Sequence, residues 1–142
     1  MNVYTWLLRQ NEASVKEIEK AINGEYSAII CYSKLANVAP TEEERNQILE
    51  IRQDEMIHLQ QFAQIYVNLT GQQPKPKLIE ECETEYVKGL EAALKDEQMT
   101  VDFYLKIGDE TTYPSIKQIF HRAAKDEQNH AVWFLYYLMK NR

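Results

Sequence analysis

Two copies of one short string carry most of the chemistry in this chain: Asp54-Glu55-Met56-Ile57-His58 and Asp126-Glu127-Gln128-Asn129-His130. On an α-helix, residues three apart share a face, so each Glu-x-x-His presents a carboxylate and an imidazole to one point. The two strings lie 72 positions apart, and the same offset carries Glu25 to Glu97 and Tyr32 to Tyr104. Apolar positions follow it as well: Ile22 to Leu94, Ile29 to Val101, Ile48 to Phe120 and Phe62 to Phe134. The chain therefore reads as a duplicated two-helix unit, each copy supplying one isolated Glu and one Glu-x-x-His.

Four carboxylates and two imidazoles at core positions repel one another and carry a large desolvation cost. Two divalent cations remove that cost. In this reading Glu25 and Glu97 are terminal ligands, Glu55 and Glu127 bridge the ions, and His58 and His130 bind one ion each. Mixed oxygen and nitrogen ligation suits iron, and manganese accepts the same set. Metal-bound imidazoles donate their second N–H to an outer acceptor. Asp54 and Asp126 are the candidates, each reaching the His of the other motif. Tyr32 and Tyr104 are either hydrogen-bond partners of the terminal carboxylates or simple core aromatics.

Positioning these groups requires long helices, and the composition provides them. Four Gly and four Pro in 142 residues leave little room for turns, and 44% hydrophobic residues suit one domain with a real core. The spacing predicts helices over 13–38, 42–69, 84–107 and 115–140. Each carries an apolar stripe interrupted by the Glu and His positions. Pro40 ends the first, Thr41 with Glu44 forms a capping box for the second, and Gly108 fits the C-cap of the third. Residues 1–12 are read as an N-terminal extension, a short helix packing Trp6 and Leu7 against the bundle. The stretch 70–81, with Pro74 and Pro76, spans roughly 40 Å when extended, about the length of these helices. It therefore reads as one long crossover between two hairpins. Glu25 and Glu55 are each fifteen residues from Pro40, and Glu97 and Glu127 are each fifteen from Thr112, so all four lie at one depth.

The six-residue pattern resembles that of ferritin-like di-iron carboxylate proteins, particularly rubrerythrins and bacterioferritins. The resemblance covers roughly residues 15–140. It implies an all-α, ferritin-like four-helix bundle as a single domain over 1–142, holding two iron ions that react with dioxygen or peroxide. Three departures stand out. Rubrerythrins carry an extra glutamate three residues after the third-helix ligand, where this chain has Thr100. They usually append a Cys-rich domain, and no such pattern is present. Bacterioferritins add a short fifth helix for cage assembly, and this chain ends with the fourth. The expected function is a di-iron oxidoreductase reducing peroxide or dioxygen with an external electron donor. A ferroxidase or iron-storage subunit, and a metal-stabilised bundle without turnover, are the alternatives.

Other features take plainer readings. Met56 sits where bacterioferritins ligate haem, but a surface or dimer contact is expected and haem is not. His121 lies off the core stripe and is expected to face solvent. Cys31 and Cys82 form no Cys-x-x-Cys pair and are expected to be reduced thiols in a cytoplasmic protein. A net charge of -6 with no basic stripe argues against nucleic acid, and no stretch is apolar enough to span a membrane. A homo-oligomer, with a dimer favoured, is the expected assembly.

Overall fold

The computed structural model describes the backbone of residues 3–142 and the side chains of residue 3 and residues 14–142; the expected packing of Trp6 and Leu7 falls outside them. Four helices account for the architecture: α1 (Val3–Asn37), α2 (Glu42–Thr70), α3 (Tyr86–Glu110) and α4 (Pro114–Asn141). α1 pairs with α2 and α3 with α4, and the two hairpins join through α1 against α3 and α2 against α4. This is a ferritin-like four-helix bundle, with no strand among the described residues. None of its helices is long and apolar enough to cross a membrane.

Several boundaries differ from those expected. Residues 3–12 belong to α1 rather than to a separate short helix, since nothing between Val3 and Asn37 except Gly24 opposes continuous helix. Thr41 caps α2 by accepting the Glu44 N–H at 3.2 Å. The return half of a capping box is not made. Instead the Glu44 carboxylate, buried, accepts from the Thr41, Tyr86 and Asn141 side chains, tying together the starts of α2 and α3 and the end of α4. α2 closes at Gly71, whose φ of 74° favours glycine, with its N–H on the Val67 carbonyl at 2.8 Å.

Gly108 is not a cap. It lies buried inside α3, which runs on to Glu110. The His121 ring of α4 occupies the space a Cβ at Gly108 would need. That close packing also corrects the solvent-facing placement of His121, which is half-buried and paired with Asp109 at 2.9 Å.

The crossover runs beside α1. The Lys77 N–H donates to Asn23 Oδ1 at 2.9 Å, and the Ile79 N–H donates to Ser27 Oγ at 3.0 Å. One turn further on, Cys82 is joined to Cys31 by a disulfide, with Cα atoms 5.2 Å apart. The expectation of two reduced thiols is thereby overturned. The long crossover, with a sequence separation of 51 residues between the cysteines, brings together positions that show no local spacing signal. The thiols therefore no longer speak for a reducing compartment.

Two apolar clusters fill the bundle. One, around Tyr32, Ile48, Ile51, Leu90, Phe134 and Tyr137, lies toward the α1–α2 turn. The other, around Ile18, Ile22, Phe62, Tyr104 and Phe120, lies toward the opposite end. Between them is a layer of buried Glu and His residues.

Candidate metal centre

Each helix carries its share of this layer to the bundle axis. Glu25 of α1, Glu55 and His58 of α2, Glu97 of α3, and Glu127 and His130 of α4 are all at most 2% exposed. They form two interlocking groups of four. Glu25, Glu55, His58 and Glu127 make one, and Glu55, Glu97, Glu127 and His130 the other; within each, one potential ligand atom per residue lies within 4.8 Å of the rest. Glu55 and Glu127 belong to both groups.

The imidazoles are oriented by the opposite hairpin. His58 Nε2 lies 2.8 Å from Asp126 Oδ2, and His130 Nε2 lies 2.8 Å from Asp54 Oδ2. Arg122 in turn holds Asp126 through its Nε–H at 3.0 Å. This leaves each Nδ1 facing inward. His58 Nδ1 stands 3.2 Å from Glu127, 3.4 Å from Glu55 and 3.6 Å from Glu25. His130 Nδ1 stands 3.4 Å from Glu55 and 3.5 Å from Glu97.

The tyrosines reach across the bundle rather than along their own helices. Tyr32 of α1 donates to Glu97 Oε1 of α3 at 2.6 Å. Tyr104 of α3 donates to Glu25 Oε1 of α1 in a short hydrogen bond. Each terminal carboxylate thus has one oxygen held and one left over.

Those remaining atoms are the decisive observation. Glu25 Oε2, Glu55 Oε1, His58 Nδ1, Glu97 Oε2, Glu127 Oε1 and His130 Nδ1 are all buried without a hydrogen-bond partner. Burial without a partner is costly for any one such atom. Six of them, from six residues, converge on one place. Hard carboxylate oxygens with two imidazole nitrogens make a donor set that fits two divalent cations of the iron or manganese type.

The titration behaviour of the metal-free layer agrees with this geometry. Burial raises the carboxyls of Glu25, Glu97 and Glu127 above the usual range, and the Glu55 charge adds to it. Glu55 moves the other way: burial is outweighed by the two neighbouring imidazoles, and it stays ionised. His58 overcomes its burial through Asp126, Glu25 and Glu55 and is raised to about 12. His130 overcomes burial through Glu55 and Glu97 and is raised to about 11. Protons thus stand in for cations. Tyr32 and Tyr104 are held as neutral phenols by burial and by the Glu97 and Glu25 charges respectively.

Asp96 and the Cys31–Cys82 pair were not singled out as functional from sequence. Burial, then Glu80, Glu97 and Glu55, push Asp96 up to about 7. The 72-residue offset offered one signal, because Asp96 answers to Gly24 in the other copy and Cys31 to Phe103.

Comparison with known proteins agrees with this architecture. Residues 88–142 match the rubrerythrin family model. The uncharacterised protein YhjR of Bacillus subtilis (strain 168) is 54% identical over 132 residues, covering 93% of this chain and 91% of that protein. A hypothetical protein from Pyrococcus furiosus shares the fold at a TM-score of 0.77, with 18% identity, 89% of this chain covered and 88% of the other. With its buried Glu and His layer on a four-helix scaffold, the chain belongs to the rubrerythrin family of ferritin-like proteins.

Proposed function

We propose that the protein is a di-iron oxidoreductase that reduces hydrogen peroxide or dioxygen with electrons from an external donor. The observation that carries this reading is the set of six buried, partnerless ligand atoms converging between the two apolar clusters. Glu25 and His58 would hold one ion, Glu97 and His130 would hold the other, and Glu55 and Glu127, which belong to both groups, would be shared between them. Two iron ions held there would supply reversible one-electron chemistry toward the oxidant. Manganese fits the same donors. Asp54 and Asp126 fix each imidazole so that Nδ1, not Nε2, faces the buried carboxylates. Tyr32 and Tyr104 hold the terminal carboxylates in place and keep a phenolic proton within hydrogen-bond reach of the centre. The apolar clusters on both sides keep bulk water away.

Anaerobic loading with ferrous iron tests the reading. Two ions per chain are expected, followed by oxidation on adding hydrogen peroxide and repeated peroxide consumption when a reductant is supplied. A stoichiometry of zero or one, or a loaded centre inert to peroxide and dioxygen, sinks it.

Thr100 favours a second reading, that of a ferroxidase. Its hydroxyl donates to the Asp96 carbonyl of its own helix at 2.7 Å, so no carboxylate stands there to displace His58. A centre whose ligands stay put suits oxidation of incoming ferrous iron. Accumulation of a ferric mineral in excess of two ions per chain would support that reading over peroxide turnover.

A further inference from the structure

We propose that Cys31 and Cys82 are a redox-active pair that re-reduces the metal centre, and that an external dithiol in turn reduces the pair. This rests on the peroxide-reducing reading given above.

Position is the first argument. Cys31 directly precedes Tyr32 on α1, and the Tyr32 hydroxyl donates to Glu97, a proposed ligand, at 2.6 Å. Both cysteines and Tyr32 line one surface cleft of about 40 Å³, together with Asp96. The sulfurs therefore border the same cleft as the phenol that holds Glu97 and as Asp96, the residue before Glu97.

Access is the second argument. Both cysteines are only half-buried, so a small or protein-borne dithiol can reach the Sγ–Sγ bond. The third is that the crossover is already fastened to α1 at Asn23 and Ser27, about two turns and one turn before Cys31. The crossover's register is thus held without the staple, whose stabilising effect falls on the unfolded chain. The fourth is asymmetry. The other copy has Phe103 at the position answering to Cys31, with Lys20 4.5 Å above its ring, and no thiol chemistry exists there.

The surroundings also direct the reaction through the metals. Glu80, Glu81 and Glu83 line the cleft, with no Lys or Arg among its lining residues, and Glu80 Oε1 lies 4.0 Å from Cys31 Sγ. An acidic cleft without a cation or an imidazole offers nothing that activates a thiol for direct attack on peroxide.

The step balances as follows. The two thiols lose two electrons and two protons, and the Sγ–Sγ bond forms. Hydrogen peroxide at the centre takes two electrons and two protons, its O–O bond breaks, and two waters leave. An external dithiol then exchanges with the disulfide, becoming oxidised while both cysteine thiols re-form.

A peroxide titration with thiol counting tests the proposal. The full chain is reduced with dithiothreitol, desalted anaerobically, loaded with ferrous iron, and titrated with hydrogen peroxide. Two loaded irons and two thiols hold four electrons, so two equivalents of peroxide should be consumed and both thiols lost. The variant carrying Cys31→Ser and Cys82→Ser should bind two irons yet consume one equivalent. The reduced, metal-free chain should lose its thiols at least about tenfold more slowly. Consumption of one equivalent by the loaded natural chain, with both thiols intact, overturns the relay and leaves the peroxide reading standing. Equal thiol loss with and without metal also overturns it. Ferrous iron that peroxide does not oxidise removes the peroxide reading and the relay with it.

Discussion

The two ends of the buried Glu and His layer answer to each other at the 72-residue offset but are finished differently. At one end Tyr104 stands among aromatic rings, edge-on to Phe62 at 5.2 Å and to Phe120 at 5.4 Å, with Phe62 and Phe120 stacked at 4.4 Å. Phe103 beside it is roofed by Lys20. At the other end Tyr32 meets Phe134 at 5.1 Å, but the position answering to Phe120 is Ile48. Cys31 replaces the second phenylalanine, Asp96 replaces a glycine, and the crossover lies alongside with a cleft beneath it. The ligand set is symmetric, whereas the residues around it pack one tyrosine among aromatic rings and leave the other beside a cleft. The two groups of candidate ligands share Glu55 and Glu127, whereas nothing in those groups requires both flanks to match.

The largest effects should come from the residues the two ends share. Glu55→Ala or Glu127→Ala removes a proposed bridge and should lose most of both ions, measured as metal per chain after anaerobic loading. Glu25→Ala and Glu97→Ala remove a terminal ligand from one side only, and each should leave close to one ion bound. Equal loss from bridging and terminal variants would show that the two groups of four do not act as overlapping sites.

Next in size is the disulfide, present at one end only. Closing a loop of this length restricts the unfolded chain by about 4 kcal/mol in the loop-entropy account. Reduction should therefore lower the melting temperature by about 10 °C, at roughly 2–4 °C per kcal/mol for a chain of this size. Thermal melts with and without reductant, on metal-free protein, measure it. An unchanged melt, with reduction verified, would mean that the crossover stays fastened through Asn23 and Ser27 even in the unfolding ensemble.

A third expectation concerns pH and both ends together. His58 and His130 have folded-state pKa values raised to about 12 and about 11, and Glu25, Glu97 and Glu127 are raised as well. The folded metal-free chain thus binds protons more tightly than the unfolded chain. For the two imidazoles that stabilisation is complete below about 6.5 and is lost as pH rises toward 11–12. Metals compete with those same protons, each proton released strengthening apparent affinity about tenfold per pH unit. The metal-induced rise in melting temperature should therefore grow between pH 6 and pH 8. A shift that shrinks over that range would contradict the picture of protons standing in for cations.

Much of this arrangement was legible in the sequence because it obeys helical periodicity. Glu55, His58, Glu127 and His130 sit on apolar stripes, and an ionisable residue on such a stripe asks for a partner. Equal spacing from Pro40 and Thr112 fixed their depth. What escaped depended on distance in three dimensions rather than on period. Cys31 and Cys82 meet because the crossover follows α1 in one particular register, held by Asn23 and Ser27, and nothing in the local composition states that register. Gly108 suggests a cap because glycine is common just past a helix end. Its actual use, making room for the His121 ring, depends on how closely α3 and α4 approach. Glu44 looked like half of a capping box, and its carboxylate was instead drawn to Tyr86 and Asn141, two partners that only the bundle brings near.

The smallest effects should come from the two tyrosines, and they bear most directly on the difference between the ends. Tyr104→Phe removes the hydroxyl that holds Glu25 Oε1, and Tyr32→Phe removes the one that holds Glu97 Oε1. A buried acceptor left without its donor costs about 1–3 kcal/mol. At the Tyr104 end the vacated space is closed by Phe62 and Phe120, so no water replaces the lost hydroxyl and the full cost should appear. At the Tyr32 end the ring borders the cleft, which has room for a molecule of water's size, and a water entering there can donate to Glu97 in the hydroxyl's place. Tyr104→Phe should therefore destabilise the metal-free chain by about 2–3 kcal/mol and Tyr32→Phe by about 1 kcal/mol or less. Denaturant melts of the two variants, compared at equal m-value, give both numbers. Equal losses would mean that the cleft does not admit water to the layer, and that the two ends differ in shape but not in access.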